Sequence, residues 1–479
     1  SVRKRTGGNY PAPLAALRVI EHGLGQPLQR GFDLEAAEVA PLVTSPVCKN
    51  LVRIFLQSER AKKEPLGAPP APVRSLVVAG AGVMGAGIAE LATRRGIAVR
   101  MRDVSPEAVT RGLRTIRGLV EDRLRRRRAT RTEAGAQLAR LMPALDLQGL
   151  GRCDAAIEAV VEDLDVKRRV FAELEVRLPA RALLATNTSS LSVNALAAGL
   201  EHAERLCGFH FFNPVHRMPL VEVVRGDRTS PEALATAVAL ARTLGKTPVV
   251  VSDAPGFVVN RVLMPYLREA LHLAEEGWAV ADVDRAMRGF GMPMGPFEVV
   301  DEVGIDVAAK VAAILARAFP DRMSESPVLG RMVEADRFGR KTGAGFYRYR
   351  GRRREPDPAV IRLIGVTPRR RPERLDALAE RMALVMVNEA ARCLEDQIAA
   401  DAGMIDLAMV LGAGFPPFRG GPLRWADALG AARVESRLNA LRGEKGDRFR
   451  PAPLVSKLAN EGRTFTPPPT PAPTAAAAS

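Results

Sequence analysis

The chain opens on apolar residues at helical spacing. In Pro13-Leu-Ala-Ala-Leu-Arg-Val-Ile20 and Val47-Cys-Lys-Asn-Leu-Val-Arg-Ile-Phe-Leu56 they return every three to four positions, which predicts helices across residues 1–64. Glu64-Pro-Leu-Gly-Ala-Pro-Pro-Ala-Pro72 then breaks the pattern, because proline removes backbone donors and stiffens the path; this reads as a linker. From Val73 the period changes. An apolar run at Ser75–Ala79 leads into a glycine turn, an Ala-rich helical stretch to Arg95, a stop at Gly96 and a second apolar run at 97–101. Similar short runs recur at 155–159, 182–185, 205–209, 220–224 and 248–251. Strands alternating with helical segments predict a parallel sheet covered by helices. Beyond Ala254 the pattern is mostly helical to about Leu429, and Pro467–Ser479 is a low-complexity stretch expected to be a disordered tail.

The helical half repeats itself. Residues 261–276 align without gaps on 381–396, an offset of 120 that pairs Arg261 with Arg381, Glu269 with Glu389 and Glu275 with Glu395. Asp284 and Asp406 follow, then the Gly-Pro pairs at Gly295 and Gly421, then Asp301 and Asp427, with the offset grown to 126. Two copies of one helical unit would stack on each other. The expected organisation is a helical linker segment (1–72), a doubly wound α/β domain (73–253), two duplicated all-helical domains (254–350 and 351–465) and the tail (466–479).

Composition changes this picture little. At 479 residues, 47% of them apolar, the chain has ample material for packed cores and is not a disordered polymer. Its four cysteines, Cys48, Cys153, Cys207 and Cys393, contain no CxxC pair, so neither a disulfide framework nor a zinc ribbon is expected, and no metal site is assigned. A reducing cytoplasm fits this usage. No apolar run approaches the roughly 18–20 residues that span a bilayer. The net charge of +16 comes from 70 Lys and Arg, of which 60 are Arg. Such a bias needs clustering before it implies an anionic partner. Arg123–Arg131 holds six Arg in nine positions, within a predicted helix; it suits coenzyme A phosphates or reads as a solvated face. The runs 350–354 and 369–371 are expected in exposed loops. With 5% aromatics and no recognition motif, no nucleic-acid partner is expected.

The chemistry starts at Gly80-Ala-Gly82-Val83-Met84-Gly85. It follows a predicted strand, opens a helix, and is followed 23 residues after Gly80 by Asp103 at the end of the second strand. That context makes it a dinucleotide fingerprint. Gly80 permits the tight turn, Gly82 lets the backbone approach a pyrophosphate, and Gly85 lets the helix pack on the strand. The helix start offers free N–H groups to phosphate. Asp103 would accept from ribose hydroxyls, favouring NAD over NADP, although Arg100 and Arg102 flank it. The second constellation is Arg205-Leu-Cys-Gly-Phe-His210-Phe-Phe-Asn213-Pro, with Glu222 in the next apolar run. A carboxylate there needs a partner. A His210–Glu222 pair across neighbouring strands supplies one and leaves the other imidazole nitrogen free as a base.

At these residues the chain resembles the 3-hydroxyacyl-CoA dehydrogenase family, and specifically the α-subunits of bacterial fatty-acid β-oxidation multienzymes. The matching stretches are Gly80–Ala89, Ile157-Glu-Ala-Val-Val-Glu-Asp163, Ala185-Thr-Asn-Thr-Ser-Ser-Leu191, His210-Phe-Phe-Asn-Pro214, Pro255-Gly-Phe-Val-Val-Asn-Arg261, Gly295–Gly304 and Gly414–Pro422. The N-terminal helical part looks like the segment that in such subunits follows an enoyl-CoA hydratase domain, which has no counterpart among these residues. The resemblance implies NAD-dependent oxidation of an L-3-hydroxyacyl-CoA in β-oxidation, with acyl-CoA as substrate and a thiolase subunit or a second copy as partner. It implies His210 as base and Glu222 as its partner, Ser189 and Asn260 on the substrate's 3-oxygen, Glu162 and Lys167 lining the cofactor, and Asn187 beside the nicotinamide. Ser189 also reads as the N-cap of a following helix, and Asn260 as a helix-start residue. The second copy carries Glu380 where the first has Asn260, and is therefore expected to pack rather than catalyse. Competing readings are a non-catalytic assembly subunit, a short-chain 3-hydroxybutyryl-CoA dehydrogenase and a basic nucleic-acid binder.

Overall fold

The computed structural model describes residues 2–351, 353–369 and 374–467. An eight-stranded sheet dominates the first half: β1 (Ser75–Ala79), β2 (Ala98–Arg102), β3 (Leu141–Ala144), β4 (Ala155–Glu158), β5 (Leu183–Thr186), β6 (Leu206–Phe211), β7 (Leu220–Arg225) and β8 (Thr247–Ser252), in the order β3-β2-β1-β4-β5-β6-β7-β8. The central strands are buried on both faces, which is why they read as unbroken apolar runs. Asp154 fixes the start of β1 by accepting from the amides of Arg74 and Ser75. The strand order reverses about β1, which runs parallel to both β2 and β4, and this switch point opens a crevice at the carboxyl ends of the strands.

Four local expectations need correction. β3, at the sheet edge, has only partly buried side chains and contains Pro143, so its pattern carries no strand signal. The sheet is not wholly parallel, because β7 runs antiparallel to β6 and returns parallel to β8. The arginine cluster straddles the end of helix Pro106–Arg125, a turn and the start of helix Arg131–Leu138 instead of lying on one helix. The described arginines of 350–354 are not in a loop: β9 (Tyr347–Arg350) and β10 (Arg353–Pro356) form an antiparallel hairpin, tied down by an ion pair from Arg354 to Glu298. That hairpin crosses position 351. Residues 370, 371 and 468–479 lie outside the described residues.

In the helical half, helix Val259–Glu275 packs on its repeat, Leu375–Glu395. The equivalence shows in their charges. Arg261 of the first copy donates to Glu389 of the second at 2.8 Å, and Arg381 of the second donates to Glu269 of the first at 2.6 Å. Arg322 and Arg448, 126 residues apart, add a second guanidinium to Glu389 and Glu269, at 2.9 and 2.8 Å. These carboxylates are buried, and each meets at least two cations, Glu389 also having Arg392 at 3.8 Å, so the buried charge is compensated. The repeated aspartates also do equivalent work. Asp284 and Asp406 accept from the amides of Phe297 and Leu423, while Asp301 and Asp427 accept from backbone amides of 346–347 and 465–466.

One core cluster joins this half to one face of the sheet, from Val77 and Leu184 through Val251 and Phe257 to Leu384. The N-terminal helix Pro46–Lys63 braces both parts. Asn50 donates to the Phe418 carbonyl, and the Ala61 carbonyl accepts from Arg242. No single helix among the described residues is long and apolar enough to cross a membrane.

Candidate active site

The crevice begins at the turn after β1. Gly80 has φ +109°, and a Cβ there would stand 2.4 Å from the Ala159 carbonyl oxygen. A Cβ on Gly85 would stand 1.9 Å from the Gly80 oxygen, so helix Val83–Arg94 reaches the strand only because both positions lack side chains. Gly82 is different: a Cβ there would meet nothing within 4 Å. The backbone is bare on the side where a pyrophosphate would come, and the first turn of the helix, with Val83 and Met84, carries no acidic residue. Asp103 closes the loop. Its carboxylate accepts from the amides of Ala81 at 2.8 Å and Ser105 at 3.1 Å, and it stays half-buried at the crevice edge. These residues fit NAD.

Across the sheet, the antiparallel register sets His210 opposite Glu222. Imidazole Nδ1 lies 2.8 Å from Glu222 Oε2. Glu222 is wholly buried, and its other oxygen accepts from the amides of Val258 and Val259 at 3.1 and 3.0 Å. With both carboxylate oxygens engaged, Nδ1 is held as the donor and Nε2 is left as the acceptor. Phe212 and Phe257 flank the ring at centroid distances of 4.5 and 5.8 Å. Phe257 adopts φ +50°, an uncommon conformation for a bulky residue, in the turn that aims the 258 and 259 amides at Glu222.

A second network sits at the ends of β4 and β5. Lys167, 1% exposed, is bracketed by Glu158 at 2.7 Å and Glu162 at 3.2 Å. Glu162 accepts in turn from the Thr188 hydroxyl, the Ser189 amide and the Ser190 hydroxyl. Burial works against its charge, but the Lys167 ammonium and these donors outweigh it and hold its pKa below the ordinary value. At Glu158 burial prevails over Lys167 and raises the pKa. Lys167 therefore acts on the site through Glu162. Ser189 is half-buried, and its carbonyl accepts from the Asn260 side chain at 3.1 Å, which links the sheet to the first helical copy. Asn187 accepts from the Phe211 amide at 2.9 Å, next to His210. The N-cap of the following helix is Ser192, not Ser189.

The structure thus brings Glu162, Lys167, Ser189 and Asn260 into one hydrogen-bonded network, and Asn187 into contact with the histidine strand. Glu158, Thr188 and Phe257 were not singled out from sequence. A carboxylate inside an apolar strand, nine residues before a lysine, is the signal that marks Glu158.

A dinucleotide crevice beside a buried histidine–glutamate pair, with hydroxyl and amide groups between them, defines a nicotinamide-dependent dehydrogenase of alcohols. Comparison with known proteins agrees. Residues 75–254 match the family model of the 3-hydroxyacyl-CoA dehydrogenase NAD-binding domain, and 256–349 with 378–467 match that of the C-terminal domain. The chain belongs to the 3-hydroxyacyl-CoA dehydrogenase family, whose members are NAD-dependent oxidoreductases. It is 40% identical over 470 residues to the fatty acid oxidation complex subunit alpha of Shewanella amazonensis, covering 97% of this chain but 66% of that subunit. The crystal structure of 3-hydroxybutyryl-CoA dehydrogenase from Escherichia coli superposes with a TM-score of 0.73 at 32% identity, over 82% of this chain and 99% of that one. The dehydrogenase part of multifunctional enzyme 1 from C. elegans gives 0.61 at 27% identity, over 85% and 98%.

Proposed function

We propose that the chain oxidises the hydroxyl of an L-3-hydroxyacyl-CoA to the 3-ketone in fatty-acid β-oxidation. The observation that carries this reading is the Nδ1–Oε2 contact of His210 and Glu222 at the edge of a dinucleotide-binding sheet. Bound NAD+ supplies the hydride acceptor. Nε2 of His210 takes the hydroxyl proton, and the buried Glu222 carboxylate stabilises the imidazolium that results. Ser189 Oγ and the Asn260 side chain orient the 3-oxygen without competing for its proton, since both are neutral. Glu162, anchored by Lys167, fixes the Ser189 loop. Asn187 holds the Phe211 amide and so sets the depth of the histidine strand. Gly82, Val83, Met84 and Gly85 present the helix start to the pyrophosphate, and Asp103 the ribose site.

The test is His210→Gln. NADH formation from L-3-hydroxyacyl-CoA, followed by absorbance, should disappear while NAD still binds by calorimetry. Retained turnover would remove the histidine from the mechanism. The second helical copy, with Glu380 in place of Asn260, is a packing partner in this reading. The name of the Shewanella relative supports assembly into a complex; in this reading the partner is a thiolase subunit or a second copy of this chain. The four free thiols suit the cytoplasm.

A further inference from the structure

The turn between β6 and β7 joins the strand of His210 to that of Glu222, and a buried lysine closes it. Lys246, the residue before β8, donates through Nζ to the carbonyl of Val215 and, at 2.6 Å, to that of Met218. Val215 lies five residues after His210 and Met218 four before Glu222. Beside this clip the Thr247 amide donates to the Pro219 carbonyl at 2.8 Å, so the start of β8 grips the end of the same turn. The turn is braced from a second direction. A Cβ on Gly87 would stand 3.0 Å from the Val215 side chain, so Val215 packs directly on helix Val83–Arg94, which opens the dinucleotide crevice.

A cation is costly at this place. Lys246 is 5% exposed. Burial above all, then the guanidiniums of Arg94 and Arg95, push its pKa down to about 8, with Glu90 pulling the other way. On the turn itself, His216 and Arg217 add no negative charge. An apolar side chain of the same length would avoid that cost but leave the buried Val215 carbonyl without its donor. We propose that Lys246 is a positioning residue for the His210–Glu222 pair: it clips the turn onto the dinucleotide helix and so fixes the base relative to the cofactor crevice. This rests on the proposed oxidation of L-3-hydroxyacyl-CoA, and adds to it a residue that acts through the turn alone.

Lys246→Met keeps the length of the side chain and removes its donors. A misplacement of 1 Å costs about 10²-fold, so a turn released by roughly half of that should lower kcat about tenfold. KM for 3-hydroxybutyryl-CoA and for NAD+ should each change less than about twofold. The downfield proton resonance of His210 Nδ1–H, identified by its loss in Glu222→Gln, should move upfield or broaden as the 2.8 Å contact with Glu222 loosens. An unmoved resonance, an unchanged kcat, or a loss carried mainly by either KM would overturn the assignment while leaving the dehydrogenase reading intact. A wild-type protein inert toward L-3-hydroxyacyl-CoA would overturn that reading and this role with it. If K246M does not melt cooperatively, Lys246→Gln, whose NH2 falls one atom short of the carbonyls, gives the same comparison.

Discussion

Replacing Glu222 by Gln keeps the size of the side chain behind His210 and reverses its instruction to the ring. The carboxamide oxygen can still accept from the amides of Val258 and Val259, now 3.1 and 3.0 Å from Oε1. Its NH2 then occupies the position 2.8 Å from Nδ1, and an NH2 only donates. The ring must accept at Nδ1 and carry its proton on Nε2, the nitrogen that has to be free. The negative charge that steadies the imidazolium is lost as well. A like carboxylate-to-carboxamide change behind a catalytic imidazole costs about 10⁴ in kcat. We expect kcat to fall about 10³- to 10⁴-fold, or about 4–5.5 kcal/mol. Stopped NADH assays at saturating L-3-hydroxyacyl-CoA, with melting temperature and NAD affinity measured alongside, check this. An E222Q enzyme that folds normally and keeps more than about a tenth of its turnover would refute the tautomer argument.

The fingerprint glycines should separate by kind. Gly82→Ala places a methyl in open space and should weaken NAD binding by calorimetry with little change in melting. Gly85→Ala drives a methyl into the Gly80 carbonyl and should destabilise the fold itself by about 1–3 kcal/mol in urea titrations. Glu389→Ala leaves Arg322 without a carboxylate and Arg261 with Asp396 alone, and should cost about 3 kcal/mol of stability. Burial above all, aided by the Glu298 charge, raises Asp284 to about 7. A carboxyl whose folded pKa is raised stabilises the fold at low pH and loses that contribution as pH climbs to the folded value. The stability difference between wild type and Asp284→Asn should therefore decline from about pH 4, the ordinary carboxyl value, to about pH 7 and level off above; a flat difference would contradict it.

What could be read from sequence was whatever its own neighbours determine. The Gly80–Gly85 turn has one geometry between a strand and a helix, and Glu222 in an apolar run demands a partner, so the pairing with His210 follows from chemistry. The repeat was visible because residue identity survives in Arg261/Arg381 and Glu269/Glu389. Their reciprocal pairing was not, since equivalence says nothing about which copy each charge faces. The antiparallel sense of β7 was equally hidden, because a buried strand is apolar whichever way it runs. The hairpin Tyr347–Pro356 was masked by its arginines, and β3 by its half-exposed edge position and Pro143. The sequence offers Ser189 as the cap of the following helix; the structure gives that cap to Ser192, three residues on, and joins the Ser189 carbonyl to Asn260.

The two stacked helical copies share one covalent chain, and that fact bears on how the protein can change. Were the copies identical separate subunits, every substitution would land in both, and a residue needed beside the histidine could not be traded away in one of them. Within one chain the copies can diverge singly. Glu380 stands where Asn260 does in the first copy, yet the Arg–Glu pairs that hold the copies together remain intact in both directions. The joint also cannot come apart on dilution, because its halves are tethered at fixed local concentration. In the proposed mechanism duplication thus divides labour: one copy faces the chemistry, and the other is released from it without loosening the grip.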